Sequence, residues 1–390
     1  MKIKAFKRPD GQYGIRNKIM ILSTVGCANE TARRIADQVA GAVYVPNAKG
    51  CGQIGESLQI MWRSLVGLAL NPNVFGTLIV GLGCETIQPH VLYRKIRESS
   101  RKPLAVLTIQ EEGGTVRTVA KGVKIAQRLA EARAAVQREP ADLGALVLAT
   151  NCGGSDATSG LSANPVLGAC SDRLIRSGGT VLLGETTEMI GTEQILARRA
   201  ANETVRKRLL HIIQGLEAQF QQMHIDIRGS NPTPGNIRGG LSTLEEKALG
   251  SIEKGGTSTI RAVVRYGERP ESHGLVLMDT PGYDIESVTG MAAGGAQLCV
   301  FTTGRGTPIG NPILPILKMT GNRRTYQRMQ DNIDIDASAV LRGEQTIASC
   351  GDLLLNRLIA VCNGEQTKAE QLGFSEISIY HSNEVWCCDL

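Results

Sequence analysis

The sequence predicts an α/β protein, a doubly wound and mostly parallel sheet followed by a second α/β domain. Three observations lead there. Short runs rich in Val, Ile and Leu recur along the 390 residues, and a segment with helical apolar spacing follows most of them. Strands buried on both faces read as continuous apolar runs, and their crossover helices supply the 3.6-residue period. Glycine is abundant at 45 residues, as many tight strand-to-helix turns require, whereas aromatic residues make up only 4%.

In chain order, the runs predict strands at 18–25, 41–45, 75–80, 104–109, 145–149 and 180–183. Helices are expected between them at 30–40, 54–70, 89–99, 116–137 and 165–177, with a long polar helix at 194–224. Such crossovers are right-handed. The segment DIRGSNPTPGNIRGG at 226–240 joins Pro, Gly and Asn with little apolar content, so it reads as a linker or an exposed active-site loop. Domains are therefore expected at 1–225 and 241–390. The second carries strands at 274–278 and 296–301 and helical segments at 337–341 and 351–363.

Chain length favours two or three domains. The net charge of +6 is spread along the chain, which argues against nucleic acid and suits a small acidic metabolite as substrate. The opening residues lack a signal-peptide pattern, and no run of eighteen apolar residues occurs, so a cytoplasmic protein with no membrane partner is expected. In a reducing compartment, ten cysteines point to metal binding, redox chemistry or burial and away from a disulfide framework. Five histidines make an all-histidine metal site improbable.

The informative feature is where the cysteines fall. Cys27 ends ILSTVGC, Cys51 follows VYVPNAKG, Cys84 ends LIVGLGC and Cys152 ends LVLATNC. Ligands of open parallel sheets bind outside the carboxyl ends of the strands. Three of these residues sit in glycine-lined turns, Gly50-Cys51-Gly52, Gly83-Cys84-Glu85 and Cys152-Gly153-Gly154. Three thiolates with one open position suit zinc, or an iron–sulfur cluster whose exchangeable iron acts as a Lewis acid. Cys51, Cys84 and Cys152 are the expected metal ligands. Cys27 is the fourth candidate and less favoured than these three, while burial accounts for Cys170, Cys299, Cys350, Cys362, Cys387 and Cys388, although the adjacent last two could bind metal adventitiously.

Carboxylates gather at the same level: Glu85, Glu111, Glu112, Asp156, Glu185 and Glu188. Crowding shifts carboxyl pKa values toward neutrality, as acid–base work requires, although each one singly also reads as a helix-start residue. Arg305 and Thr307 lie in the turn Gly304-Arg305-Gly306-Thr307, where a guanidinium could grip a carboxylate bidentately. Arg16, Asn17 and Lys318 are further anion-binding candidates, with plain solvated charge as the alternative for Lys318. No GxGxxG opening a helix, Walker A, HExxH or GxSxG sequence occurs, so a nucleotide cofactor is unsupported.

The stretches RPDGQYGIRN, GCGQIG, NPNVFGTLIVGLGCE, NCGGSDATSGLSANP, GGLSTLEEKALGSIEKGG, MDTPGYDIESVTG, FTTGRGTPIGNPILPILK and SCGDLLL resemble the altronate/galactarate dehydratase family nearly end to end. The resemblance implies a lyase of sugar-acid anions that depends on divalent iron; the family also includes the large subunit of sulfolactate sulfo-lyase. By similarity, Cys51, Cys84, Glu85, Cys152, Ser155, Asp156, Glu286, Arg305 and Lys318 lie in or near the site. Glu85, Asp156, Glu286 and Lys318 are expected to be catalytic, with Arg16, Asn17, Asn47, Lys49, Ser155, Arg305 and Thr307 binding substrate.

The glycine-flanked cysteines favour a cluster over a single iron. Longer members begin with a small domain that completes the active site, so a separate small subunit of about a hundred residues is expected, in a homo- or hetero-oligomer. Sugar-acid members tend to carry histidines just before GCG, where this chain has Asn47 and Lys49. Lys49 would suit a smaller or more anionic acid. The expected reaction is water loss from an altronate-like anion to give a 2-keto acid. The alternatives are sulfite release from sulfolactate, a non-catalytic acid-binding subunit and a structural zinc protein.

Overall fold

Apolar runs without polar alternation become strands buried on both faces, and the chain builds two parallel sheets from them. The structure is a computed structural model and describes residues 1–382. A small antiparallel sheet comes first, in which β1 (Lys2–Lys7) lies between β2 (Tyr13–Gly14) and a strand from later in the chain. The first parallel sheet uses β3 (Lys18–Ser23), β4 (Ala42–Val45), β5 (Val74–Gly81) and β6 (Leu104–Thr108), in the order β4-β3-β5-β6. Its helices are α1 (Asn29–Ala36), α2 (Gly55–Leu70), α3 (Pro89–Ser99) and α4 (Thr115–Ala134). The strand β7 (Glu139–Asp142) then returns to pair with β1.

The second parallel sheet uses β8 (Val147–Cys152), β9 (Thr180–Leu183), β10 (Ile260–Val264), β11 (Gly274–Met278), β12 (Leu298–Thr302), β13 (Ile316–Thr320) and β14 (Ile335–Asp336). Their order is β10-β11-β9-β8-β12-β13-β14. Between β8 and β12 the chain forms α5 (Asn164–Arg176), α6 (Glu193–Ala197), α7 (Glu203–Gln222), α8 (Ile227–Ser230), α9 (Pro234–Arg238), α10 (Leu244–Ile252) and α11 (Asp284–Ala293).

The sheets divide near residue 140, not at 226–240. Strands β8 and β9, expected with the first half, pair with β12 and β11. An apolar run reveals burial on both faces but not the neighbour. The 226–240 segment folds against the second sheet: Thr233 and Asn236 form a capping box, and Asn236 Nδ2 donates to the Ser155 carbonyl at 2.9 Å. The long polar helix breaks between Ala197 and Glu203, and 337–341 forms turns, the helix Ile347–Cys362 starting only behind the Thr346–Ser349 capping box. Among the described residues no helix is long and apolar enough to cross a membrane. Cys387 and Cys388 lie outside the described residues.

One apolar layer belongs to both sheets. It joins Met20, Leu22 and Ile79 to Ala149, Leu182, Val276 and Phe301 through Leu65 of α2 and Met291 of α11. Asparagines stitch its edge. Asn71 Nδ2 donates to the Ala292 and Ala296 carbonyls at 2.7 and 2.8 Å, and Asn73 Nδ2 to Gln297 and Ile313 at 2.8 and 2.9 Å.

Arg16, expected to bind substrate, is tied into this scaffold. All five of its N–H groups are taken: Nε and one Nη2 hydrogen pair with the Glu370 carboxylate at 2.7 and 2.8 Å, and the others donate to the carbonyls of Ile15, Val361 and Glu365. Asn17 accepts from Arg8 at 2.8 Å and donates to the Arg133 carbonyl at 3.5 Å. Replacing Arg16 by Met should lower stability in urea titration by about 3–5 kcal/mol, because the buried Glu370 carboxylate loses its cation, while KM of the folded fraction stays unchanged.

Candidate active site

The second sheet opens a crevice where its connections diverge. After β8 the chain turns into α5 on one face, where Val166, Leu167 and Leu174 are buried; after β11 it turns into α11 on the other, where Val288 and Met291 are buried. Ligands of such sheets bind at this point. Four segments meet there: Asn151 and Cys152 end β8, Gly184 and Glu185 follow β9, Asp284 opens α11, and Lys254 follows α10.

Lys254 is fully buried, and its ammonium donates to the Cys152 thiol at 2.8 Å, Glu185 Oε2 at 2.7 Å and Ser251 Oγ at 2.7 Å. The Cys152 backbone N–H also donates to Glu185 Oε2 at 2.9 Å. Burial alone would discharge Lys254, but Cys152 and Glu185 outweigh it and hold the ammonium. Burial and the Glu185 charge push the Cys152 thiol up to about 11, so it is no thiolate by itself near neutrality.

The Glu185 backbone is held left-handed, with φ of 68°. Its N–H donates to Thr280 Oγ1 at 2.6 Å, and Thr280 Oγ1 contacts Ser287 Oγ at 2.9 Å. A non-glycine residue in this conformation is strained, and strain of this kind collects at functional sites.

Beside the triad stands Asp284. Its Oδ1 accepts from Asn151 Nδ2 at 3.1 Å, and a side chain at Gly153 would collide with its carboxyl group. Burial, then the charges of Glu185 and Glu188, push the Asp284 carboxyl from its ordinary 3.8 up to about 7. Two buried oxygens nearby have no partner, Asn151 Oδ1 and Glu188 Oε2. Glu188 Oε1 is held by Lys247 at 2.9 Å. Buried acceptors without donors point to a polar ligand. Cavities flank the Glu185 turn: one of about 320 Å³ reaches Cys152 and Ser155, and one of about 690 Å³ reaches Thr186, Asp279 and Thr280.

The residues expected from sequence divide between this crevice and other duties. Arg305 stands beside the Gly154 turn, exposed, with one N–H on the Gly235 carbonyl at 2.8 Å. Asp156 ties its own turn together, its Oδ1 accepting from Thr158 and Ser159 and its Oδ2 from Asn322 Nδ2 at 2.8 Å. Lys318 is buried against its own loop, donating to the Pro308 and Ile309 carbonyls at 3.0 and 2.9 Å. Burial pulls it down to about 8. Thr307 Oγ1 accepts from Ile309 N at 3.3 Å. Glu286, half-buried, takes a hydrogen bond from Ser378, and Asp284, two residues earlier, is the carboxylate that reaches Gly153.

The remaining expected residues lie on the first sheet. Glu85 is buried, with Oε1 accepting from Thr24 Oγ1 at 2.6 Å and Leu82 N at 3.0 Å, and Oε2 from Gly83 N at 2.5 Å; it is a structural tie for these turns. Asn47 Nδ2 donates to the Thr24 carbonyl at 2.7 Å, and its Oδ1 accepts from Lys49 N at 3.2 Å. Glu111 and Glu112 pair with His90 and Lys121 on the surface.

The expected metal set of Cys51, Cys84 and Cys152 is divided between the two sheets. Cys51 and Cys84 are exposed at the first sheet, whereas Cys152 is 5% exposed at the second, its sulfur taken by Lys254. Among the described residues, no three His, Cys, Asp or Glu side chains could hold a single metal ion. Sequence reasoning passed over Lys254, Asn151 and Asp284. Each sits in or beside a stretch already singled out, IEKGG, NCGGSD and PGYDIES.

Comparison with known proteins agrees with this layout. Residues 143–385 match the family described as D-galactarate/Altronate dehydratase, C-terminal, and residues 5–134 the second domain of D-galactarate dehydratase/Altronate hydrolase. The chain is 37% identical to the (2R)-sulfolactate sulfo-lyase subunit beta of Chromohalobacter salexigens over 95% of both chains. It is 33% identical to the altronate dehydratase of Bacillus subtilis, over 97% of this chain and 77% of the relative. It is 37% identical to the galactarate dehydratase (L-threo-forming) of Escherichia coli, over 82% of this chain and 62% of the relative.

Replacing Lys254 by Met strands a buried carboxylate, so stability should fall by about 3–5 kcal/mol; adding Glu185→Gln should restore part of it in the same denaturant titration. Asp284 makes stability depend on pH. Between about pH 4 and 7 the folded state holds a proton on Asp284 that the unfolded chain has lost, so this contribution declines as pH rises through 7. The Asp284→Asn variant should lose that decline, as read from unfolding midpoints measured across the same interval.

Proposed function

Because the chain belongs to the D-galactarate/altronate dehydratase family, we propose that it is a lyase that removes water from a sugar-acid anion of the altronate type and leaves a 2-keto acid. The observation that carries the reading is Asp284, a carboxyl raised to about 7 beside an unpartnered Asn151 oxygen at the strand ends. A general base works best with a pKa near the working pH.

Arg305 grips the substrate carboxylate at the mouth of the crevice. Asp284 takes the proton alpha to the carboxylate, and the electron pair left behind forms the double bond between C2 and C3. The C3 hydroxyl leaves with its bonding electrons and takes up one proton, so one water is lost for each enol formed. The enol tautomerises to the 2-keto acid. Lys254 holds Glu185 in place beside Asp284 and opposes the burial that raises the Glu185 carboxyl.

An iron–sulfur cluster is the cofactor this reading favours, and its exchangeable iron would supply a Lewis acid for the departing oxygen. A reducing, cytoplasmic setting suits it, as do eight free cysteines among the described residues. The relative named subunit beta supports a second chain, which we take to be a small subunit of about a hundred residues.

That same relative, matched over 95% of both chains, supports a second reading in which the same proton removal expels sulfite from sulfolactate. Anaerobic assays of the iron-reconstituted chain with its small partner separate the two. Keto-acid formation from altronate supports dehydration, sulfite from sulfolactate supports the second reading, and turnover of neither overturns the lyase. The Asp284→Asn variant should lower kcat by roughly 10²–10⁴-fold and remove the acid limb of kcat/KM near pH 7.

A further inference from the structure

The first sheet carries a second constellation that proton transfer does not use. Its order β4-β3-β5-β6 puts the point of divergence between β3 and β5. The helix α1 leaves β3 on one face, burying Ala32 and Ile35; α3 leaves β5 on the other, burying Leu92 and Ile96. Cys27 follows β3, Cys51 follows β4 and Cys84 follows β5, so three thiols edge this crevice.

Cysteine is among the residues most often buried. Of the eight free cysteines among the described residues, Cys27, Cys51 and Cys84 are exposed and the other five are buried. The three exposed ones sit on loops tied to one another. Gly26 N donates to the Lys49 carbonyl at 2.8 Å and Thr86 N to the Gly50 carbonyl at 3.0 Å. The Glu85 carboxylate links Thr24 on the first loop to Leu82 and Gly83 on the third. Gly50 has φ of 109°, and a side chain there would collide with Thr24 and Val25, so glycine is what lets the second loop approach the first.

We propose that Cys27, Cys51 and Cys84 are the thiolate ligands of an iron–sulfur cluster with one iron left without a protein thiolate. The assignment rests on the iron reading above and puts Cys27 where Cys152 was expected. A single ion draws its ligands onto one point, which no three such side chains among the described residues could do. A cluster spreads its irons apart and accepts thiolates from separate loops. Cys152 cannot join the set while Lys254 holds its sulfur.

The test uses the full chain, purified anaerobically and reconstituted with ferrous iron and sulfide. A broad visible band with about four iron and four sulfide per chain is expected. Cys27→Ser, Cys51→Ser and Cys84→Ser should each lose the band and the iron, and Cys152→Ser should keep both. Retention of full iron by Cys27→Ser, its loss in Cys152→Ser, or zinc alone in the wild type overturns the assignment.

Alkylation of the wild type by iodoacetamide, read peptide by peptide, decides the matter even if a variant fails to fold. Loading should protect Cys27, Cys51 and Cys84 together, and absence of that joint protection overturns the site. Turnover by a chain that binds no iron overturns the site and leaves the lyase standing. A loaded chain with the band but no turnover of either acid does the reverse.

Discussion

A single ammonium group organises the second half of the molecule. Lys254 is fully buried, and its charge is sustained by Cys152, Glu185 and Ser251. Removing an ammonium from water costs several kcal/mol, repaid only when every proton finds an acceptor. Here each of its three protons does. Three segments remote in sequence are thereby pinned to one point: the end of β8, the turn after β9 and the turn after α10. The raised carboxyl of Asp284 answers first to its own burial and then to the Glu185 charge beside it.

The two sheets divide the labour. Each is open, parallel and twisted around its own point of divergence, and the apolar layer they share fixes one relative to the other. The second sheet gathers groups that hold or move protons, and the first gathers soft sulfur donors. Glu85 and Lys254 make a useful contrast. One is a buried anion satisfied by backbone N–H groups and a hydroxyl, the other a buried cation satisfied by side-chain acceptors, and each makes a strand-end turn rigid.

Much of the fold was legible because burial on both faces leaves an unmistakable apolar run. Thr180–Leu183 and Gly274–Met278 fall where periodicity puts them. Partnership between strands was not legible, since nothing inside β8 or β9 says that they belong beside β12 and β11 and not beside β6. The short strands β1 and β7 escaped because their polar faces resemble loop. Cys27 and Cys152 carry the same local signature, a thiol at a strand end next to glycine, and only the three-dimensional surroundings separate an exposed sulfur from one held by an ammonium. Glu286 and Asp284 share one helical turn, and two residues of rotation decide which faces Gly153. Nothing in the stretch IEKGG marks Lys254 as buried.

The bridge from Arg16 to Glu370 closes a loop of 354 residues. An N-terminal segment whose guanidinium makes four of its five hydrogen bonds to residues 361–370 cannot finish folding while those residues are still being made. At typical synthesis rates the wait is on the order of twenty to seventy seconds. Through that interval the flank of the first sheet stays open, and the Arg16 guanidinium, buried only in the finished fold, is exposed to water. The protein's birth therefore has a built-in order in which the last helices act as the clasp, and truncation near the carboxyl end would be felt first at the amino end.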